Sequence, residues 1–197
     1  PRERAGVKDP RAEVERALTE PIGTKRLSEI AKPGDKVALV VDDMTRATPS
    51  HVIVPPVLDE LNRAGIKDED VTVIFGCGTH RAVKPDEMKA LVGEEALNRV
   101  RAVSHDCNAK DLHLLGKTKT LGTRVYVNRF FAEADVRVLT GDIGLHYYAG
   151  YGGGRKSVLP AVSGAETIQH NHAMILDSQA RTGVLEGNPV HVDMVEA

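Results

Sequence analysis

Val37-Ala38-Leu39-Val40-Val41 is an unbroken apolar run, bounded by Lys36 on one side and by Asp42-Asp43 on the other. A strand with one wet face alternates apolar and polar residues, so a run without alternation predicts a strand covered on both faces. Such a strand needs partners above and below it, and the chain supplies them in a repeated order. A polar loop, 42–50, leads into a helical pattern from about His51 to Ala64, with Pro55 and Pro56 in its first turns and Gly65 as its C-terminal cap. Residues 71–75 repeat the strand signal, 76–81 the loop and 85–92 the helix, and a second short helix is expected over 94–99. Residues 101–103 and 136–140 are further strand candidates, and 164–176 have helical spacing. Strands alternating with helices predict an α/β fold: a mainly parallel sheet flanked by helices, Rossmann-like. Residues 112–115 and 123–127, around a Gly/Lys/Thr turn, point to a small antiparallel excursion.

The 197 residues suffice for one domain with a core that needs no disulfide or metal staple. Residues 1–35 are polar, with a weak helical pattern around Arg11–Leu18 ended by Pro21, and read as a lead-in to the domain whose alternation fills 36–197. A net charge of −2 gives no global basic field to attract nucleic acid or a membrane surface. No apolar run approaches the roughly 18 residues of a membrane span, and no signal-peptide pattern opens the chain. Cys77 and Cys107 lack metal-pair spacing and predict free thiols in a reducing cytoplasm. A start at Pro1 without Met, and an end without a closing element, lead us to expect a piece of a longer protein.

In open α/β sheets ligands bind beyond the carboxyl ends of the strands. Three loops at that end, DDMTRATPS, GCGTHR and TGDIGLHYYAG, carry Asp43, Arg46, His80, Asp142 and His146, which is more chemistry than turns require. Taken singly, each residue has a plainer reading. Asp42 or Asp43 can cap a helix, Arg46 can be a solvated surface group, and His80 or His146 can be structural or exposed. His105 and His113 read as structural, and His51 and His191 carry no signal.

GYGGGRKS, 150–157, is a near match to the phosphate loop G-x-x-x-x-G-K-[ST]. Arg155 stands where the glycine before the lysine belongs, and His146–Ala149 precede the stretch where a strand is required. Both departures count against a nucleoside triphosphatase. A flexible linker remains open, as does a close approach of Gly152–Gly154 to a bulky ligand with Lys156 aimed at it. A buried lysine can lose its proton and act as a nucleophile. Further on, His170 and His172 are two apart on a helical pattern, so they do not face each other and cannot chelate one ion together. One of them can supply a single ligand, and imidazole suits nickel, copper and zinc.

Asp43-x-x-Arg46 with Thr48-Pro49, Gly78-Thr79-His80-Arg81, Gly141-Asp142 followed by His146, Gly152-Gly153-Gly154-Arg155-Lys156-Ser157 and Asn171-His172 occur in that order. With these pieces the chain, from about Val37 to its end, resembles the nickel-pincer nucleotide-dependent lactate racemase family. The resemblance implies an isomerase, a racemase or epimerase of a small 2-hydroxy acid such as lactate. Malate-like, sugar-acid and aromatic hydroxy acids are alternative substrates, and a non-catalytic nucleotide- or metal-binding module is the reading of a different class. It implies nickel held by a pyridinium-3,5-bisthiocarboxylic acid mononucleotide, joined covalently to Lys156, with His172 as the protein's ligand to nickel. His80 and His146 would be the acid/base pair. Asp43, Arg46, Gly153, Gly154 and Ser157 would lie near the cofactor, with Arg46 also on the substrate side. The family implies, too, a C-terminal domain that this chain lacks and proteins that assemble the cofactor. The chemistry suits the residue types. An α-hydrogen beside a hydroxyl is too weakly acidic for an easy carbanion route, whereas its transfer as hydride leaves a flat 2-keto acid. Two histidines can then exchange the hydroxyl proton on either side.

Overall fold

Val37 to Val41 are all at most 2% exposed, and they form the strand β1 (Val37–Asp42) in a computed structural model that describes residues 5–197. Ahead of it lie α1 (Pro10–Thr19) and α2 (Leu27–Ile30). After it come α3 (Ser50–Arg63), β2 (Val71–Gly76), α4 (Pro85–Val92), α5 (Glu94–Arg99) and β3 (Arg101–Ser104). The chain continues through β4 (His113–Lys117), β5 (Arg124–Val127), α6 (Arg129–Glu133), β6 (Val136–Leu139), β7 (Leu145–His146) and β8 (Gly150–Tyr151). It ends with α7 (Ala165–Ala173) and α8 (Pro189–Glu196).

The main sheet has the order β3-β2-β1-β6 and every neighbouring pair is parallel, with Val37 opposite Val71 on one side and Val136 on the other. Its two faces explain why β1 lacks alternation. Val37, Leu39 and Val41 pack with Val54, Leu58 and Leu61 of α3 on one face. Ala38 and Val40 pack on the other with Val125 and Val127 of β5 and Phe131 of α6. The antiparallel excursion is therefore part of the sheet's cover: β4 and β5 pair, and the inner side of β5 takes the place of a crossover helix.

The polar lead-in is tied to this frame. Leu18, Leu27 and Ala31 pack into the first cluster. Glu60 of α3, 0% exposed, accepts from Arg26 at 3.2 and 3.1 Å, from Ser28 Oγ at 2.6 Å and from Arg63 at 2.7 Å. A third cluster, with Tyr148, Leu159, Ile168, Val190 and Met194, joins α7 and α8 to the glycine-rich stretch. Within that stretch 154–157 form one 3₁₀ turn closed by Lys156 N–H to Gly153 O at 3.2 Å, so the glycines make a turn and not a loose linker. Residues 164–176, expected as one helix, divide into α7 and a tighter 3₁₀ turn over Met174–Leu176, a common way to end a helix. Among the described residues no helix is long and apolar enough to cross a membrane.

Candidate active site

At the carboxyl ends of β1, β2 and β6 the loops enclose a cavity of about 510 Å³. Each of these three strands delivers a short polar segment to its wall: Asp42, Asp43 and Arg46 at the end of β1, Gly78 to His80 after β2, Gly141 and Asp142 after β6. The β7–β8 hairpin adds His146, Tyr147 and Tyr148, the 3₁₀ turn adds Lys156 and Ser157, and α7 adds His172. Of the residues singled out from sequence, Asp43, Arg46, His80, His146, Gly153, Lys156, Ser157 and His172 all line this one space, while Gly154 lies outside its wall.

Asp43 is buried and supports His80. Its Oδ1 accepts from Thr45 N–H at 2.9 Å and Thr45 Oγ1 at 2.6 Å, and its Oδ2 lies 2.7 Å from His80 Nδ1. Burial alone would raise the Asp43 carboxyl, but the hydrogen bonds from Thr45 and His80 outweigh it and hold the group below its usual range. An ionised Asp43 fixes the His80 proton on Nδ1 and leaves Nε2 as an acceptor on a half-exposed ring. Asp42 does a different job: its Oδ2 accepts from Thr48 Oγ1 at 2.5 Å, burial raises its carboxyl, and α3 starts at Pro49 without a side-chain cap.

His146 is held more loosely. Its Nδ1 accepts from Ala149 N–H at 3.2 Å, and its ring stacks on Tyr147 and meets Tyr148 edge-on at 4.5 Å. Burial first, then the positive charge of Lys156 and Arg46, pushes its pKa down to about 4, so the ring is neutral at pH 7. Lys156 is pushed down to about 8, first by burial and then by Arg46 and Arg155. It makes no ion pair among the described residues, and its Nζ sits 5.8 Å from the centre of the Tyr148 ring. Burial raises the Tyr148 hydroxyl to about 12, so it keeps its proton.

His172 meets the Tyr148 ring edge-on at 5.2 Å and places Nδ1 3.2 Å from Asn171 Oδ1. Burial, then Lys156, lowers it to about 4, so its ring too is neutral at pH 7. His170 turns away, as the helical spacing predicts, and bonds Thr123 Oγ1 at 2.7 Å. Arg46 is exposed; it donates to the Thr45 carbonyl and hydroxyl and, among the described residues, makes no salt bridge, although its charge acts on nearby Asp42. Ser157 donates its hydroxyl to Thr140 O at 2.8 Å and so secures the turn that carries Lys156. Tyr148, whose ring lies near the lysine and two of the histidines, is the wall residue that sequence reasoning missed; the only signal is an aromatic pair directly after His146.

These features define an α/β domain with a cavity at the carboxyl edge of its sheet, whose wall holds several histidines and a desolvated amine. More particularly, the chain belongs to the lactate racemase N-terminal domain family, whose model matches residues 1–183. It is 40% identical over 187 residues to a lactate racemase of Thermoanaerobacterium thermosaccharolyticum, covering 93% of this chain and 43% of that protein. It is 35% identical over 187 residues to the lactate racemase of Lactiplantibacillus plantarum, covering 93% and 44%. The fold superposes on the lactate racemase apoprotein of T. thermosaccharolyticum with a TM-score of 0.86 at 37% identity, over 95% of this chain and 45% of that one. A Thermotoga maritima protein at 21% identity shares the fold, with a TM-score of 0.77. The chain spans less than half the length of the relatives it matches.

Proposed function

We propose that this chain is the cofactor-bearing part of an enzyme that racemises or epimerises a small 2-hydroxy acid, with lactate the first candidate. The observation that supports it most directly is Lys156, a desolvated amine without an ionic partner among the described residues, sharing one cavity wall with three histidines.

The wall fits the nickel-pincer mononucleotide that the resemblance brings with it. A lysine pushed down to about 8 presents far more free amine near neutrality than a solvated one, as a covalent anchor requires. His172 offers a neutral imidazole, the form that ligates metal. Among the described residues no group of three or more His, Cys, Asp or Glu side chains is placed to hold a metal ion. A metal here therefore takes most of its donors from a non-protein source, which a pincer supplies. When bound, the group provides an electrophilic carbon able to take the substrate's α-hydrogen as hydride and return it.

The protein's own residues handle the proton and the orientation. His80 Nε2 accepts the hydroxyl proton, and the Asp43 carboxylate behind Nδ1 stabilises the imidazolium that results. His146 serves the opposite enantiomer. Among the described residues its ring makes one hydrogen bond, the long contact from Ala149 N–H to Nδ1, which leaves Nε2 without a protein partner. Arg46, which makes no salt bridge among the described residues, can turn its guanidinium to the carboxylate of the substrate. The reading includes a C-terminal domain that completes the site and a cytoplasmic setting, in keeping with two buried free thiols. Ile143, Leu145 and Tyr147, all strongly exposed beside the cavity, offer that domain an apolar seat.

The test uses the full-length protein, co-expressed with cofactor-assembly proteins, on a panel of 2-hydroxy acids followed by loss of optical rotation. His80→Ala and His146→Ala are each expected to abolish racemisation. Full activity in either variant refutes the two-base assignment. Intact-mass analysis should show an adduct that Lys156→Ala lacks.

A further inference from the structure

Asn171 belongs to the Asn171-His172 pair, yet the chemistry above gives it no task. It is 0% exposed. Its Nδ2 donates to Asp193 Oδ2 at 2.9 Å and to Val190 O at 3.2 Å. Both partners accept, so this corner of the amide is its nitrogen, and the corner facing His172 Nδ1 at 3.2 Å is its oxygen. An amide oxygen only accepts, so His172 Nδ1 must carry the ring's proton and Nε2 keeps its lone pair.

The chain of bonds has a fixed end. Asp193 is also 0% exposed, and its Oδ1 accepts from Thr118 Oγ1 at 2.8 Å and Thr123 Oγ1 at 2.7 Å. Asn171 cannot turn over without setting its carbonyl oxygen against this carboxylate and against the Val190 carbonyl. α8, which carries Asp193, thereby reaches through α7 to set which nitrogen of His172 is bare.

We propose that Asp193 and Asn171 are positioning residues for His172: they select its Nδ1–H tautomer and keep Nε2 open as a metal-ligand atom. The purpose rests on reading His172 as the nickel ligand; the tautomer rests on the hydrogen bonds alone. Metal-ligating histidines commonly donate their second N–H to such an acceptor, and losing that acceptor costs about 10–100-fold in metal affinity.

The experiment is long-range ¹⁵N–¹H correlation at pH 7 on the cofactor-free chain with ¹⁵N-labelled histidine rings, with the His172 signals assigned by their loss in His172→Gln. The expected wild-type pattern is Nδ1–H, the reverse of the Nε2–H form that free neutral imidazole side chains prefer in water. Asn171→Ala should shift the population to Nε2–H. Asp193→Asn presents an amide nitrogen to Asn171, leaves only the Val190 carbonyl opposing a turn-over, and should move the population part of the way in the same direction. A wild-type Nε2–H pattern overturns the inference, as does an unchanged Nδ1–H pattern in folded Asn171→Ala. Where a variant does not fold, the wild-type spectrum decides. As a second readout, nickel should leave loaded Asn171→Ala about tenfold faster than wild type, and equal retention overturns the positioning role. A loaded wild type that holds no nickel overturns the ligand reading and the purpose with it, whereas a wrong tautomer overturns the positioning alone.

Discussion

Lys156 shows what the site does to a single residue. An ordinary lysine titrates near 10.4, so at pH 8 well under about 1% of it is neutral. Burial and the nearby Arg46 and Arg155 bring Lys156 down to about 8, so about half is free amine at that pH. Because the group faces an open cavity, burial does not shut it off from small reagents. Limited acetylation of the cofactor-free chain at pH 8, mapped by mass spectrometry, should therefore modify Lys156 several-fold faster than exposed Lys67. The preference should shrink as the pH rises above 8 toward about 10, where ordinary lysines also lose their protons, while both rates fall in acid. Equal rates at pH 8 would show that the amine is not desolvated. Asp43→Asn addresses a different residue in the same wall. It removes the charge behind His80 and should lower kcat and change its pH profile while the adduct on Lys156 stays, because Asp43 touches the base and not the tether.

Among the elements, the β7–β8 hairpin is the most sensitive support of the site. Gly150 has φ +78°, and a Cβ there would lie 2.2 Å from Val184 O. Gly150→Ala therefore meets both backbone strain and a backbone clash. It should cost about 2 kcal/mol or more in urea denaturation and displace His146, which the same hairpin carries. The hairpin also marks where the sequence stops being legible. The periodic elements were plain: the β1 run, and the helices over 85–92 and 94–99, stand where the pattern puts them. The strands β7 and β8 are two residues each, too short for any period. The five residues of α6 and the four of α2 give no hydrophobic stripe of their own. α8 did leave a signal, since Asn188 caps it by accepting from Val190 and His191 N–H, with Pro189 in the first turn. At the site, the residues named from sequence, Gly154 apart, share one cavity because strand ends gather loops at one edge. The role of Tyr148 and the Asp43–His80 bond depend on side chains that only the packed core brings together.

For the molecule as a whole, buried groups that must stay in one protonation state set the response to acid. His105, just past β3, is 1% exposed and joins the sheet to the stretch before α7. Its Nε2–H donates to Ser163 O at 2.8 Å, and Nδ1 accepts from Asn128 Nδ2 at 3.4 Å, so only the neutral ring satisfies both partners. Burial lowers its pKa from 6.5, and His146 and His172 are lowered to about 4 with the same sign. Between those values and 6.5 the unfolded chain binds more protons than the folded one, so stability falls as pH drops through that window. Glu60 acts lower on the scale. Burial alone would raise it, but bonds from Arg26, Ser28 and Arg63 hold it at about 2 against an ordinary 4.5. Its contribution is present above pH 4.5 and disappears as pH falls toward 2. The urea midpoint should therefore decline in two stages, first from pH 6.5 to about 4 and again below 4.5. His105→Gln keeps a donor for Ser163 but has no proton to gain, so it should flatten the upper stage. Glu60→Gln should lower the plateau, by about 1–3 kcal/mol for the weakened bonds, and flatten the lower stage. An upper stage as steep in His105→Gln as in wild type would remove His105 from this account and leave that window to His146 and His172.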